Sequence, residues 1–241
     1  MEGRPQGALS ADPVADRFAD IRSWVFDLDD TLYPKHTGVF DQVSERILLY
    51  LQRFLSISAE EATVVRANFY QRHGTTLRGL IVEHGMDPDA FLDFVHDIDT
   101  SRLGPDPALV AAIGRLPGRR FILTNGSRRH AERILARIGF DNPFDDIFDI
   151  IRADFVPKPH PDTYRRFLDQ NGIDPATAVM FEDLPRNLEV PKSLGMATVL
   201  VVPAGTDQVP VEAWETTAKA PHIDHLTDDL GGFLARLTPS R

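Results

Sequence analysis

The sequence predicts an α/β protein, a doubly wound parallel sheet covered by helices on both faces, with an all-helical domain inserted after the first strand. Three observations carry this expectation. Short apolar runs alternate with segments of helical period, the pattern of strands joined by right-handed helical crossovers. Each run gives way to polar or charged residues at its carboxyl end: Asp27 and Asp29, then Thr124, then Glu182 and Asp183. Residues 36–103 have helical period throughout and offer no strand candidate.

The elements follow in order. Residues 1–20 are polar and rich in Ala, Pro and Asp, and read as a flexible lead-in. Trp24-Val25-Phe26 is a continuous apolar run of the kind buried on both faces of a sheet. Tyr33 to Gly38 contains breakers and reads as a loop. Phe40, Val43, Ile47, Leu48, Leu51 and Phe54 recur at helical spacing. Ser58 with Glu61 forms a capping box that opens a second helix. Gly74-Thr75-Thr76 breaks that helix, a shorter one runs from Leu77 to Gly85, and Asp87-Pro88 starts another. Asp106 caps a helix with Pro107 in its first turn. Phe121-Ile122-Leu123 is a strand, followed by a helix on Ala131, Ile134, Leu135 and Ile138. A weaker strand is expected over Asp149 to Arg152, and Lys158 follows in a Pro-rich loop. A helix through Tyr164 and Phe167 leads to the strand Val179-Met180-Phe181. A helix through Asn187 and Val190 precedes the last clear strand, Thr198 to Val202. A loop rich in Pro and Thr leads to a final helix on Leu230, Phe233, Leu234 and Leu237. The expected division is residues 21–35 and 104–241 for the α/β core and 36–103 for the helical insertion.

Bulk properties narrow the function. Acidic residues outnumber basic ones, 36 against 26, which argues against a nucleic-acid partner. The absence of Cys excludes disulfides, thiolate metal sites and cysteine nucleophiles. No apolar run approaches the roughly 18 residues of a membrane span, and the amino terminus has no apolar signal core. A soluble cytoplasmic protein without a membrane or nucleic-acid partner is the expectation.

Ligands of such sheets bind outside the carboxyl ends of the strands, where the polar clusters fall. Asp27 and Asp29, two apart at a strand end, point the same way. With Asp30 they place three carboxylates within four residues, which repel one another unless a proton or cation is shared; a hard metal would relieve this. Thr124, with the amides of Asn125 and Gly126, sits near a helix N-terminus and forms a phosphate cradle. Lys158, stiffened between Pro157 and Pro159, offsets carboxylate repulsion and grips a phosphate oxygen. One of Glu182 and Asp183 reaches a metal. His160, His222 and His225 lack metal-ligand spacing and read as loop and surface residues. No Walker loop, dinucleotide fingerprint, nucleophile elbow or zincin helix is present.

Together, Asp27-Leu28-Asp29-Asp30-Thr31, Thr124, Lys158 and Glu182-Asp183 resemble the four ordered motifs of the haloacid dehalogenase (HAD) superfamily. The resemblance implies a Rossmann-like core with a helical cap between the first two motifs. It implies Asp27 as nucleophile, Asp29 as general acid and base, and Thr124 and Lys158 as phosphoryl-holding groups. It further implies Mg2+ held by Asp27, Asp183 and the Asp29 backbone carbonyl. Asp-Leu-Asp-Asp-Thr-Leu-Tyr-Pro, Gly74 to Leu80, Phe181-Glu182-Asp183 with Asn187-Leu188, and His222 to Leu226 look like the pyrimidine 5′-nucleotidase branch, with Leu184 where a small residue is usual.

The expected activity is therefore a magnesium-dependent phosphomonoester hydrolase working through an aspartyl-phosphate, acting on a small phosphorylated metabolite such as a pyrimidine nucleoside 5′-monophosphate. Asp29 would need a raised pKa to act as an acid near neutral pH. Thr75, Thr76 and Arg78 are the candidate readers of the leaving group. The alternatives are a phosphatase of another metabolite, a phosphomutase or a haloacid dehalogenase of the same fold. A monomer or homodimer is compatible with all of these.

Overall fold

The structure, a computed structural model, describes residues 17–205 and 220–237. Most of the expected lead-in (1–16) and much of the Pro- and Thr-rich loop (206–219) lie outside the described residues. The last residues of the lead-in are anchored: Phe18 is buried against Trp24 and Phe233.

Strand β1 (Ser23–Phe26) is buried along its whole length and occupies an interior position in the sheet. It pairs in parallel with β2 (Arg119–Leu123) on one side and β4 (Ala178–Glu182) on the other, with Phe26 opposite Ile122 and Phe181. Beyond β2 lies β3 (Asp146–Phe148), and beyond β4 lie β5 (Ala197–Val201) and β6 (His225–Thr227). The order is β3-β2-β1-β4-β5-β6, all parallel.

Alternation along the strands feeds two cores. Trp24, Phe26, Ile122, Val179 and Phe181 pack on one face with helices α5 (Pro107–Gly114), α6 (Arg128–Ile138) and α9 (Leu230–Leu237). Val25, Phe121, Leu123 and Met180 pack on the other with Tyr164 and Phe167 of α7 (Pro161–Asn171). The turn before β2 needs Gly118: its φ is +86°, and a Cβ there would lie 2.3 Å from the Arg22 carbonyl oxygen.

Between β1 and β2 come α1 (Val39–Leu55), α2 (Ala59–His73), α3 (Thr76–His84) and α4 (Pro88–Val95), with no strand among the described residues of that segment. The Ser58–Glu61 capping box forms in both directions. Gly85 closes α3 in the left-handed region at φ +60°. These helices share an apolar cluster of Leu51, Phe69, Leu77, Leu80 and Phe91, into which the core residue Ile150 also inserts.

Three sequence expectations are corrected. The weak strand is β3 at Asp146–Phe148, because Asp149 accepts the backbone N–H groups of Arg128 and Arg152 and turns the chain. His225 lies in an additional edge strand, β6, with its ring against Phe18 and Phe233. The segment through Asn187 is a 3-10 turn (Pro185–Leu188) leading into the short α8 (Glu189–Ser193). No helix among the described residues is long and apolar enough to cross a membrane.

Candidate active site

The site is built where β1 and β4 end side by side. The Asp27 N–H still bonds the Phe181 carbonyl at 2.9 Å, so the nucleophile candidate is fixed by the sheet ladder itself. Leu28 turns into the core and the chain folds back, with Asp30 at φ +57° and Leu32 N–H on the Leu28 carbonyl. Asp27 and Asp29 thereby both face one cavity.

Lys158 arrives from the loop before α7, beyond a cis peptide bond to Pro159. Asn125 holds this loop at both ends of one residue, accepting from the Lys158 N–H at 2.8 Å and donating to its carbonyl at 3.2 Å. The ammonium is buried and donates to Asp27 Oδ1 at 2.6 Å and Glu182 Oε1 at 2.8 Å. Glu182 is otherwise satisfied, by Asn187 Nδ2 at 2.6 Å and the Leu184 N–H at 2.8 Å. Thr124 is buried beside Asp27's strand, and its hydroxyl accepts the Gly126 N–H at 2.9 Å.

Around the single buried ammonium of Lys158, carboxylates are in excess. Oxygens of Asp27, Glu182 and Asp183 all lie within 4.8 Å of one another. Burial lifts the Asp27 pKa to about 7; Lys158 opposes this, while Glu182 and Asp29 reinforce it. Asp183 is raised well above the usual carboxylate range, first by burial and then by Glu182, against which its carboxyl group is hydrogen-bonded. Asp30 is pushed to about 7 by burial and by Asp29. Lys158 is held firmly protonated: burial acts against its charge, but Asp27 and Glu182 outweigh it. Burial and Glu182 thus favour the protonated form of Asp183 in the absence of a cation. An all-oxygen donor set of this kind fits a hard divalent ion. Both Glu182 oxygens are engaged, Oε1 by Lys158 and Asn187 and Oε2 by the Leu184 N–H, so Asp27, through the oxygen Lys158 does not take, and Asp183 would hold it.

Asp29 departs from expectation. Burial alone would raise its pKa, but His130 and Tyr33 outweigh burial and the net shift is downward. Its carboxylate faces His130 Nε2 at 2.8 Å and Tyr33 Oη at 2.6 Å and is not part of the acidic cluster. His130 went unnoticed in the sequence, although it precedes Ile134 by four residues and so sits on the apolar face of α6.

The cavity above these groups has a volume of about 530 Å³ and runs between the sheet end and the inner faces of α1 and α2. Thr75, Thr76, Asn125 and Gly126 line it; Arg78 does not, and its N–H instead bonds the Thr75 hydroxyl that caps α3. Besides Lys158, the Lys and Arg side chains lining the cavity are Lys35, Arg66 and Arg186. Arg186 lies over the Tyr70 ring at 3.7 Å and donates to the Gly74 carbonyl.

Comparison with known proteins agrees with this geometry. A model of the haloacid dehalogenase-like hydrolases matches residues 21–195. Phosphate metabolism protein 8 of Saccharomyces cerevisiae is 28% identical over 73% of this chain, which spans 60% of that protein's length. The L-2-haloacid dehalogenase of Xanthobacter autotrophicus with covalently bound chloropropionic acid superposes with a TM-score of 0.56, at 19% identity, covering 92% of this chain and 100% of the other. The magnesium-bound HAD hydrolase YfnB of Bacillus subtilis gives 0.56 at 14% identity, covering 91% and 99%. With the match extending over most of the chain and the acidic strand ends converging on one cavity, the protein belongs to the haloacid dehalogenase-like hydrolase family.

Proposed function

We propose that this chain is a magnesium-dependent phosphomonoester hydrolase that works through a phosphorylated Asp27, with pyrimidine nucleoside 5′-monophosphates as its substrates. The observation that carries the reading is the crowding of Asp27, Glu182 and Asp183 around one buried ammonium. A phosphoryl group meeting Asp27 needs its negative charge neutralised, and Mg2+ on Asp27 and Asp183 would supply that neutralisation. A dehalogenase, whose substrate is attacked at carbon, has no such need. The likeness to a protein named for phosphate metabolism and to a magnesium-bound relative supports the same choice.

In the first half-reaction an Asp27 oxygen bonds to phosphorus as the bond to the leaving oxygen breaks, and Asp29 gives that oxygen a proton. In the second, water bonds to phosphorus, the Asp27–phosphorus bond breaks, and Asp29 takes the proton of the water. The resting geometry holds Asp29 ionised, ready for the second step. An incoming phosphate places like charge beside it and raises its pKa, which lets it take up the proton needed for the first. Lys158 anchors Asp27 and meets the phosphoryl oxygens. Thr124, Asn125 and Gly126 edge the same cavity, and the helical insertion shuts out bulk water. The cavity walls of Thr75, Thr76, Arg66 and Tyr70 suit a ring bearing hydrogen-bond acceptors. The setting is the cytoplasm, with the chain acting as a monomer or homodimer.

The test is orthophosphate release from UMP, CMP and simple alkyl and aryl phosphates with Mg2+, alongside halide release from 2-chloropropionate. Phosphate release is expected, lost in Asp27→Asn and in excess chelator. Halide release without phosphate release would overturn the reading.

A further inference from the structure

We propose that His130 is the positioning residue for Asp29, clamping one of its oxygens so that the other is presented for proton exchange; the assignment rests on the phosphatase reading. The His130 side chain is wholly buried in the first turn of α6. Its Nε2 lies 2.8 Å from Asp29 Oδ1. A carboxylate offers only lone pairs, so Nε2 carries the proton and donates. Tyr33, from the loop after β1, donates to the same Oδ1 at 2.6 Å. Two donors from separate segments thus fix Oδ1, while Oδ2 has no hydrogen bond among the described residues and belongs to a side chain that lines the cavity.

The imidazole is itself held flat. His96 stacks on it with ring centroids 4.3 Å apart and planes 10° from parallel. His96 is fixed in turn by Ser127 Oγ, 3.1 Å from its Nδ1, and by Arg133, which donates to its carbonyl. Gly126 closes the ring edge: a Cβ there would come within 3.3 Å of His130 Cδ2. Among the described residues His130 Nδ1 has no hydrogen-bond partner, and the bond to Asp29 is the one hydrogen bond this side chain makes there. On an apolar helix face an apolar residue would fill the space without that desolvation. The geometry is explained by the one partner the ring does have. Because His96 caps α4 of the insertion, the clamp also joins the cap to the acid–base group.

Kinetics of His130→Ala and His130→Gln, the latter keeping an N–H donor at similar reach, test the assignment. In His130→Ala, kcat for an alkyl phosphomonoester should fall by about tenfold to a hundredfold, the scale of a misplaced catalytic group, with KM changed less than about twofold. His130→Gln should recover most of the loss. With 4-nitrophenyl phosphate, whose leaving group needs no proton, His130→Ala should release the first equivalent of nitrophenolate at the wild-type rate and then turn over slowly, because water deprotonation still needs Asp29. An unchanged kcat, a loss borne by KM, an equally slowed first turnover, or a folded His130→Gln no better than Ala would overturn it. A separate readout needs no activity. In the 15N-histidine spectrum the Nε2 proton of His130 should exchange slowly and shift in Asp29→Asn; absence of such a proton overturns the clamp. A chain that releases no phosphate from any ester fails the phosphatase reading instead.

Discussion

Lys158 Nζ sits 2.6 Å from Asp27 Oδ1, a buried ion pair between residues 131 apart in sequence, and the same ammonium reaches Glu182 at 2.8 Å. Two carboxylates thus depend on one cation. Lys158→Met would strand them, and removing one partner of a buried pair costs roughly 3–5 kcal/mol. Part of that cost is relieved when Asp27 takes up a proton. Its folded pKa, already raised to about 7, would rise further, so stability is retained at low pH and lost as pH rises. Chemical unfolding should show the variant more strongly destabilised at pH 8 than at pH 5, with turnover lost at both. Equal destabilisation at the two pH values would mean that the ammonium does not govern Asp27.

Metal binding should carry the same signature. Asp27 and Asp30 have folded pKa values near 7 and Asp183 lies well above the carboxylate range, against about 3.9 in an unfolded chain. The metal-free fold therefore has its full stability below the unfolded pKa and loses it as pH climbs through neutrality. Mg2+ would compete with protons for Asp27 and Asp183, so it should stabilise more at pH 8 than at pH 5. At a hundredfold excess over Kd the gain is about 2.7 kcal/mol. Thermal midpoints with Mg2+ against chelator measure it, and Asp183→Asn should abolish the difference. A shift that ignores both pH and that substitution would place the ion elsewhere.

These charges were legible in the sequence because strand ends in a parallel sheet must meet; that rule gathers Asp27, Thr124, Lys158 and the Glu182-Asp183 pair, and the family resemblance singled out Asp183 of the pair. The long helices were legible for a related reason: Ser58–Glu61 and Asp106-Pro107 are local cap signals that need no tertiary context. The edge strands β3 and β6 were not. Each has three residues and one strand neighbour, so the apolar run Ile147-Phe148 read equally well shifted towards Ile150-Ile151. Asp29 was misjudged because neighbouring carboxylates are visible in sequence, whereas His130, 101 residues away, is brought in only by the fold. Arg78 was chosen for its place beside Gly74, but α3 turns it off the cavity wall.

Arg66 takes the place Arg78 was given. It lines the cavity, donates to Ser44 Oγ at 3.1 Å and has no ion-pair partner among the described residues. Burial lowers its pKa, although Tyr70 opposes this. A half-desolvated guanidinium with a neutral partner is poised for an acceptor on the leaving group, and charged hydrogen bonds are worth about 1.5–3 kcal/mol. Arg66→Met should therefore lower kcat/KM for UMP and CMP by about tenfold to a hundredfold and leave phenyl phosphate nearly unchanged. Arg78→Ala should spare both. Uniform losses across substrates in Arg66→Met would assign the residue to the fold of the insertion.

Gly79 decides how closely α3 lies on α2. A Cβ at that position would stand 2.3 Å from Phe69 Cγ and 2.7 Å from Phe69 Cβ. Phe69 is buried in the cluster with Leu80 and Phe91 and cannot swing clear. Gly79→Ala gains up to about 1 kcal/mol in helix propensity, but forcing a methyl into packed atoms costs about 1–3 kcal/mol, so net destabilisation is expected. The strain also pushes α3 outward, and with it Thr75 and Thr76, so KM for UMP should rise while the first-order chemistry at Asp27 is untouched. Phe69→Ala removes the two closest atoms, Cγ and Cδ1, and leaves space that Gly79→Ala partly refills: the double variant should be more stable than the sum of the two single losses. Additive losses would mean that the two positions do not press on one another, and the close approach of α2 and α3 would need another cause.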